Sequence, residues 1–191
     1  GACSLSPHIV LRESGLAFEP VLASTKSHKL QDGTDYYGIN PKGYVPLLEL
    51  DDGQRLRALN ELFIGHPSHQ SARYSVTAGG TTERHSSSGV LVGTGTGSTG
   101  WCRSVWMERG SQIELPAPEV AGLCWFVREA WPSPATGTSL TEGIVTSTDA
   151  VEIVAESDLV VFGDGIEGDA LRVGWGQRVT VQVAAVRLNL L

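Results

Sequence analysis

The spacing of apolar residues divides the chain into two parts of different character. In the first part it predicts a short helix over residues 7–15, because Pro7 suits the first turn of a helix and Gly15 suits the position just past its end. A strand at Phe18–Leu22 and the extended segment Leu47–Leu50 follow. We interpret the first part as a β-α-β-β unit, which is an open sheet carrying one helix.

Short strands dominate the second part, which begins after Leu59. Glycine-rich turns separate apolar segments that recur at regular spacing, and this pattern is typical of a β-sandwich. One helix is predicted over Ser98–Arg109, with Ser98 or Thr99 as its N-cap. The predicted strands are Leu62–Ile64, Ser71–Val76, Val90–Val92, Leu123–Val127, Gly143–Ser147, Val151–Val154, Leu159–Phe162 and Arg178–Leu188.

Composition and charge narrow the class of protein. The 191 residues are 41% hydrophobic and 18% charged, and no apolar run approaches the roughly 18 residues that a membrane-spanning helix needs. The net charge is −7 and no basic stripe is present, so nucleic-acid binding is not expected. Three irregularly spaced cysteines form neither a disulfide framework nor a zinc pattern. We therefore expect a cytoplasmic protein without a metal site.

The segment Ser88–Trp101 carries the clearest chemical signal in the chain. A β-branched run leads into a turn of glycine, serine and threonine, and a predicted helix follows. Such a turn presents free backbone N–H groups and small hydroxyls, which suit a phosphorylated ligand.

Two motifs in the first part resemble the thioredoxin-like N-terminal domain of bacterial beta-class glutathione transferases. They are Gly1-Ala-Cys-Ser-Leu-Ser-Pro-His8 and Asn40-Pro-Lys-Gly-Tyr-Val-Pro46, and the resemblance covers about residues 1–53. It implies that Cys3 lies beside the sulfur of glutathione. It also implies that Val45 and Pro46 bond the backbone of that peptide as an added strand.

Three motifs in the second part resemble the C-terminal, β-rich domain of NAD kinases, over about residues 53–191. They are Asn60-Glu61, the segment Ser88–Trp101, and Phe162-Gly-Asp-Gly165 with Gly174–Val179. The resemblance implies that the Asn60-Glu61 pair contacts a dinucleotide. The other residues that it places at the dinucleotide are Thr96, Thr99, Gly100, Trp101 and Ser104.

The predicted fold class is therefore α+β, with a partial thioredoxin-like segment at residues 1–53 and an NAD-kinase-like domain of β-sandwich type at 54–191. The implied activity is phosphorylation of the 2′-hydroxyl of NAD to give NADP, with ATP and Mg²⁺. The 191 residues contain no Gly-Gly-Asp-Gly loop, whose aspartate is the base that the resemblance implies, so we expect this chain to be inactive. Asp164 lies where Asp-Gly is a turn signal and is interpreted as a turn residue.

Two other functions stay open from the sequence. One is glutathione conjugation assisted by Cys3, although Ala58 and Leu59 stand where the transferase family has a Glu-Ser pair. The other is a non-catalytic module that binds NAD(P). NAD kinases assemble through their β-rich domains, so the resemblance also implies a homo-oligomer.

Overall fold

Twelve strands and one α-helix make up the part of the chain that the computed structural model describes, which is residues 47–50 and 53–184. These residues belong to one compact unit that spans residues 44–188, here called the β-rich unit. The helix α1 is Trp101–Arg109, and a 3₁₀ turn at Gly97–Thr99 precedes it. The strands are β1 (Leu47–Leu50), β2 (Arg55–Arg57), β3 (Glu61–Gly65), β4 (Ala72–Ala78), β5 (Thr81–Ser87), β6 (Gly89–Thr94), β7 (Leu123–Arg128), β8 (Glu142–Val145), β9 (Ala150–Ala155), β10 (Leu159–Gly163), β11 (Ile166–Val173) and β12 (Arg178–Gln182).

The strands form two antiparallel sheets of six strands each. One has the order β2-β1-β12-β9-β4-β5 and the other β11-β10-β3-β6-β7-β8. Alternate residues of both sheets, among them Ile64, Tyr74, Trp125 and Ile153, share one buried core. The β-sandwich predicted from the sequence is thus confirmed for the described residues.

A second, smaller core covers the other face of the second sheet. Leu91, Cys124 and Phe126 point outward from β6 and β7, and Cys102 and Val105 of α1 pack on them. Because β6 and β7 are covered on both faces, they are continuous apolar runs rather than alternating ones.

Strand β1 belongs by sequence to the segment that resembles glutathione transferases, yet it pairs inside the first sheet. Leu47 is opposite Gln182 of β12 on one side and Arg57 of β2 on the other. The segment at Leu47–Leu50 is therefore part of the β-rich unit in the structure.

Three strands were not predicted, namely β2, β5 and β11. The β5 sequence is Thr-Thr-Glu-Arg-His-Ser-Ser, which lacks an apolar alternation because β5 is an edge strand paired on one side only. Strand β11 is also an edge strand, and β2 has only three residues. The strand predicted over Arg178–Leu188 ends at Gln182 within the described residues.

Candidate functional site

Asn60 and Glu61 lie where the chain enters β3, and one carboxylate fixes their backbone. Oδ1 of Asp164 accepts hydrogen bonds from the N–H groups of Asn60 (2.7 Å) and Glu61 (3.3 Å), and Oδ2 accepts one from Leu59 (2.8 Å). The N–H of Asp164 donates in return to the carbonyl of Glu61 at 2.9 Å. The Asn60-Glu61 pair is therefore held by Asp164 through its main chain.

Asp164 occupies the two-residue turn between β10 and β11. It has φ 54° and Gly165 has φ 70°, and a type I′ hairpin turn needs positive φ at both central residues. The prediction that Asp164 is a turn residue is confirmed. Sequence reasoning missed the second role of its side chain, because the three N–H groups that it binds lie more than 100 positions earlier in the chain.

The glycine-rich loop, which is residues 95–100 directly after β6, folds back onto the other side of Asn60. The N–H of Thr94 donates to the carbonyl of Asn60 at 2.8 Å, and the Thr94 hydroxyl donates to the carbonyl of Leu59 at 2.6 Å. The same hydroxyl accepts the N–H of Gly97 at 3.1 Å. A side chain at Gly97 would overlap the Asn60 carbonyl, so the contact requires glycine there.

Within the described residues, the main chain of Asn60 is hydrogen-bonded but its side chain is not. Its amide is half-buried and makes no hydrogen bond within the described residues. An amide offers both a donor and an acceptor. Asn60 therefore presents a free polar group on a backbone that is fixed by the Asp164 turn on one side and the glycine-rich loop on the other.

Five of the predicted site residues lie in this loop or in the first turn of α1, namely Thr96, Thr99, Gly100, Trp101 and Ser104. The Thr99 hydroxyl donates to the carbonyl of Thr96 at 2.9 Å, and the N–H of Ser104 donates to the carbonyl of Gly100 at 3.1 Å. Thr99, Gly100 and Ser104 are exposed, and Thr96 is half-buried.

The prediction that Ser98 or Thr99 caps the helix is wrong. Gly100 is the residue that precedes α1, and no side chain caps it. The Ser98 hydroxyl donates to the carbonyl of Thr94 at 2.9 Å, and Thr99 is engaged within the 3₁₀ turn, so neither hydroxyl is directed at the helix.

Trp101 is anchored on the sheet. Its ring stacks on Phe63 with centroids 5.6 Å apart and an interplanar angle of 13°, and the Arg128 guanidinium lies 5.3 Å from the Trp101 ring centroid. Phe63 in turn fills space over Gly65 and Gly89, where any side chain would overlap its ring. Sequence reasoning missed Phe63 and Arg128, because each joins Trp101 from a different strand.

The carboxyl group of Glu61 has a shifted pKa. Burial raises the pKa of Glu61, and the negative charge of Asp164 raises it further. Glu61 consequently takes up a proton at a higher pH than an exposed glutamate does.

The other predicted site residues are Cys3, Val45 and Pro46, and all three lie outside the described residues. Within the described part of the chain, no group of three or more His, Cys, Asp or Glu side chains could hold a metal ion. The helix of the described residues is not of the length and apolarity needed to cross a membrane.

Comparisons with known proteins match the two parts separately. No protein-family profile matches the chain. Glutathione S-transferase GstA of Escherichia coli O157:H7 is 54% identical over 56 residues, which is 29% of this chain and 28% of that protein. Glutathione S-transferase GST-4.5 of Xanthomonas campestris pv. campestris is 49% identical over 51 residues, which is 27% of this chain and 24% of that protein.

The structural likeness is to a different enzyme. A yeast NADH kinase, solved in complex with NADH, superposes with a TM-score of 0.56 over 73% of this chain and 39% of the kinase, at 19% sequence identity. The chain thus combines a segment similar to glutathione S-transferases with a domain that is similar in fold to part of an NADH kinase. It spans about a quarter of the transferases and two fifths of the kinase.

Proposed function

We propose that the β-rich unit is an NAD-kinase-like module that binds a dinucleotide, NAD or NADP, on the surface formed by Asn60, Glu61 and the glycine-rich loop. The activity implied by the resemblance to NAD kinases is transfer of a phosphoryl group from ATP to the 2′-hydroxyl of NAD. The kinase-like fold supports the proposal at the level of the family.

The observation that carries the proposal is the state of Asn60. Its main chain is fixed by Asp164 and Thr94, while its half-buried amide has no partner within the described residues. An unbonded polar group on a fixed backbone breaks no hydrogen bond within the protein when it binds a ligand. The hydroxyl of Thr99 and the backbone of Gly100 would line the same ligand from the loop.

The experiment is a titration of the chain with NAD and with NADP, compared with the Asn60→Ala variant. Losing the two hydrogen bonds that an amide can make should weaken binding by about tenfold or more. The melting temperature without ligand should change little, because the amide stabilises no other group. Equal binding by the variant and the parent chain would contradict the role of Asn60.

We propose that this chain does not catalyse the reaction, because its 191 residues contain no Gly-Gly-Asp-Gly loop to supply the base. No group of three or more His, Cys, Asp or Glu side chains that could hold a metal ion is present in the described residues, and no step is assigned to Mg²⁺. Incubation with NAD, ATP and Mg²⁺ should yield no NADP, and measurable NADP would overturn this part of the proposal.

A second candidate function rests on the 54% identity with a glutathione S-transferase. On that proposal Cys3, Val45 and Pro46 bind glutathione, and Cys3 lies beside its sulfur. The chain would then be retained on immobilised glutathione and eluted by free glutathione, and Cys3→Ser would weaken retention. Failure of the parent chain to bind would remove this candidate without affecting the dinucleotide proposal.

A further inference from the structure

Two buried cysteines meet beneath the start of α1. Cys124 lies on β7 directly opposite Gly93 of β6, and Cys102 is the second residue of α1. Both side chains are fully buried, in the small core that α1 forms with the second sheet. Both are free thiols.

The missing side chain at Gly93 brings the two sulfur atoms together. A Cβ atom on Gly93 would overlap the Cys102 sulfur, so this sulfur fills the space over Gly93. Residues opposite each other in an antiparallel pair have Cβ positions about 4.5–5.5 Å apart, which puts the Cys102 sulfur beside Cys124. The two thiols are close enough for each to shift the pKa of the other. The Cys124 sulfur also contacts the Ser98 hydroxyl at 3.5 Å and the Gly93 carbonyl at 3.7 Å.

We propose that Cys102 and Cys124 form an oxidisable pair, which a small two-electron oxidant such as hydrogen peroxide converts into a disulfide. The Cys124 thiolate attacks one peroxide oxygen, the O–O bond breaks, and the products are a sulfenic acid and hydroxide, which takes up the proton that Cys124 released and becomes water. The Cys102 sulfur then attacks the Cys124 sulfur, the S–O bond breaks, and hydroxide leaves with the Cys102 proton as a second water. The two sulfurs together lose two electrons, and the peroxide gains them.

The surroundings of the pair favour this order of events. The neighbouring Cys102 thiol lowers the pKa of Cys124 to about 7 against the opposing effect of burial, so Cys124 supplies the nucleophilic thiolate. Complete burial restricts the reaction to an oxidant not much larger than water and makes it slower than for an exposed thiol. Contact with Cys102 closes the disulfide before further oxidation of Cys124.

Oxidation would act on the loop that precedes Cys102. A disulfide has an S–S length of about 2.05 Å, which is shorter than any non-bonded contact between two sulfur atoms. Forming it draws the first turn of α1, with Gly100 and Trp101, toward β7. The pair itself does not depend on the proposed dinucleotide binding, and its test below is independent of any nucleotide.

The test uses the full chain with Cys3→Ser, which leaves Cys102 and Cys124 as its two thiols. Thiols are titrated after denaturation, and peptides are mapped without reduction, before and after treatment with hydrogen peroxide. We expect the titratable thiols to fall from two to none, the two cysteine peptides to appear as one cross-linked species, and a reductant to restore both thiols. Cys102→Ser should abolish the cross-link and leave Cys124 to oxidise by itself.

Gly93→Ala is the matched variant that keeps both thiols. Its methyl group would displace the Cys102 sulfur, so cross-linking should slow by about tenfold or more. Survival of both thiols in the Cys3→Ser chain, or their separate conversion to sulfinic or sulfonic acids, would overturn the proposal. If Gly93→Ala does not fold, the result with the Cys3→Ser chain decides the question without it.

Discussion

Replacing Asp164 with asparagine tests how strongly one turn organises the candidate site. The carboxylate accepts three backbone hydrogen bonds, from Leu59 at 2.8 Å, Asn60 at 2.7 Å and Glu61 at 3.3 Å. Asparagine has the same shape and tolerates the positive φ of this position, so backbone strain does not change. The substitution therefore isolates the effect of the carboxylate.

The expected loss follows from the acceptor count. In Asp164→Asn the amide nitrogen must replace one of the two oxygens, so at least one N–H group meets a donor instead of an acceptor. The remaining hydrogen bonds lose the assistance of a charge, and bonds to charged groups contribute about 1.5–3 kcal/mol each. We expect a loss of about 2–4 kcal/mol in the free energy of unfolding, which lowers the melting temperature by about 5–10 °C in a domain of this size.

Calorimetry or fluorescence-monitored melting measures this loss, with Asp169→Asn as the matched control. Asp169 is an exposed aspartate on β11, and its substitution should change the melting temperature by about 1 °C or less. A second readout is the pKa of Glu61, which should fall because the neighbouring negative charge is removed. The reasoning is refuted if Asp164→Asn melts like the control and leaves the pKa of Glu61 unchanged.

Two further substitutions probe the loop and the core. Gly97→Ala would force a methyl group into the Asn60 carbonyl, so it should weaken NAD binding and lower the free energy of unfolding by about 1–3 kcal/mol. The control is Gly168→Ala, at an open position of β11, which should change neither NAD binding in a titration nor the melting temperature. Burial lowers the pKa of His85, so folding favours the neutral ring. The contribution of the neutral ring to the free energy of unfolding is complete above about pH 6.5, the pKa in the unfolded chain, and is lost as the pH falls through the lower pKa of the folded state. The melting temperature of His85→Gln should accordingly depend less on pH between about 5 and 7, and an unchanged pH dependence would contradict this assignment.

The pattern of apolar residues predicted the strands that are buried on both faces. β6 and β7 are covered on both faces, so their apolar runs stand out without knowledge of the fold. The polar edge strand β5 carries no such signal, and only its pairing with β4 defines it. Its hairpin turn, Gly79-Gly80, has positive φ at both residues, and this glycine pair was the local signal available.

The candidate site likewise combines local motifs, which the sequence shows, with long-range contacts, which it does not. The glycine-rich loop and the Asn60-Glu61 pair are recognisable as motifs, because each is a short run of residues. The side chains that fix them come from distant parts of the chain: Asp164 reaches back from the β10–β11 turn, and Phe63 meets Trp101 across β3 and α1. Periodicity and spacing cannot reveal such contacts, because they depend on strand order.

Isothermal titration of the parent chain and of Asn60→Ala with NAD tests the central claim most directly. We predict measurable binding to the parent chain, a loss of about tenfold or more in the variant, and equal melting temperatures of the two proteins without ligand. Absence of NAD and NADP binding to a folded parent chain would contradict the assignment of this surface to a dinucleotide.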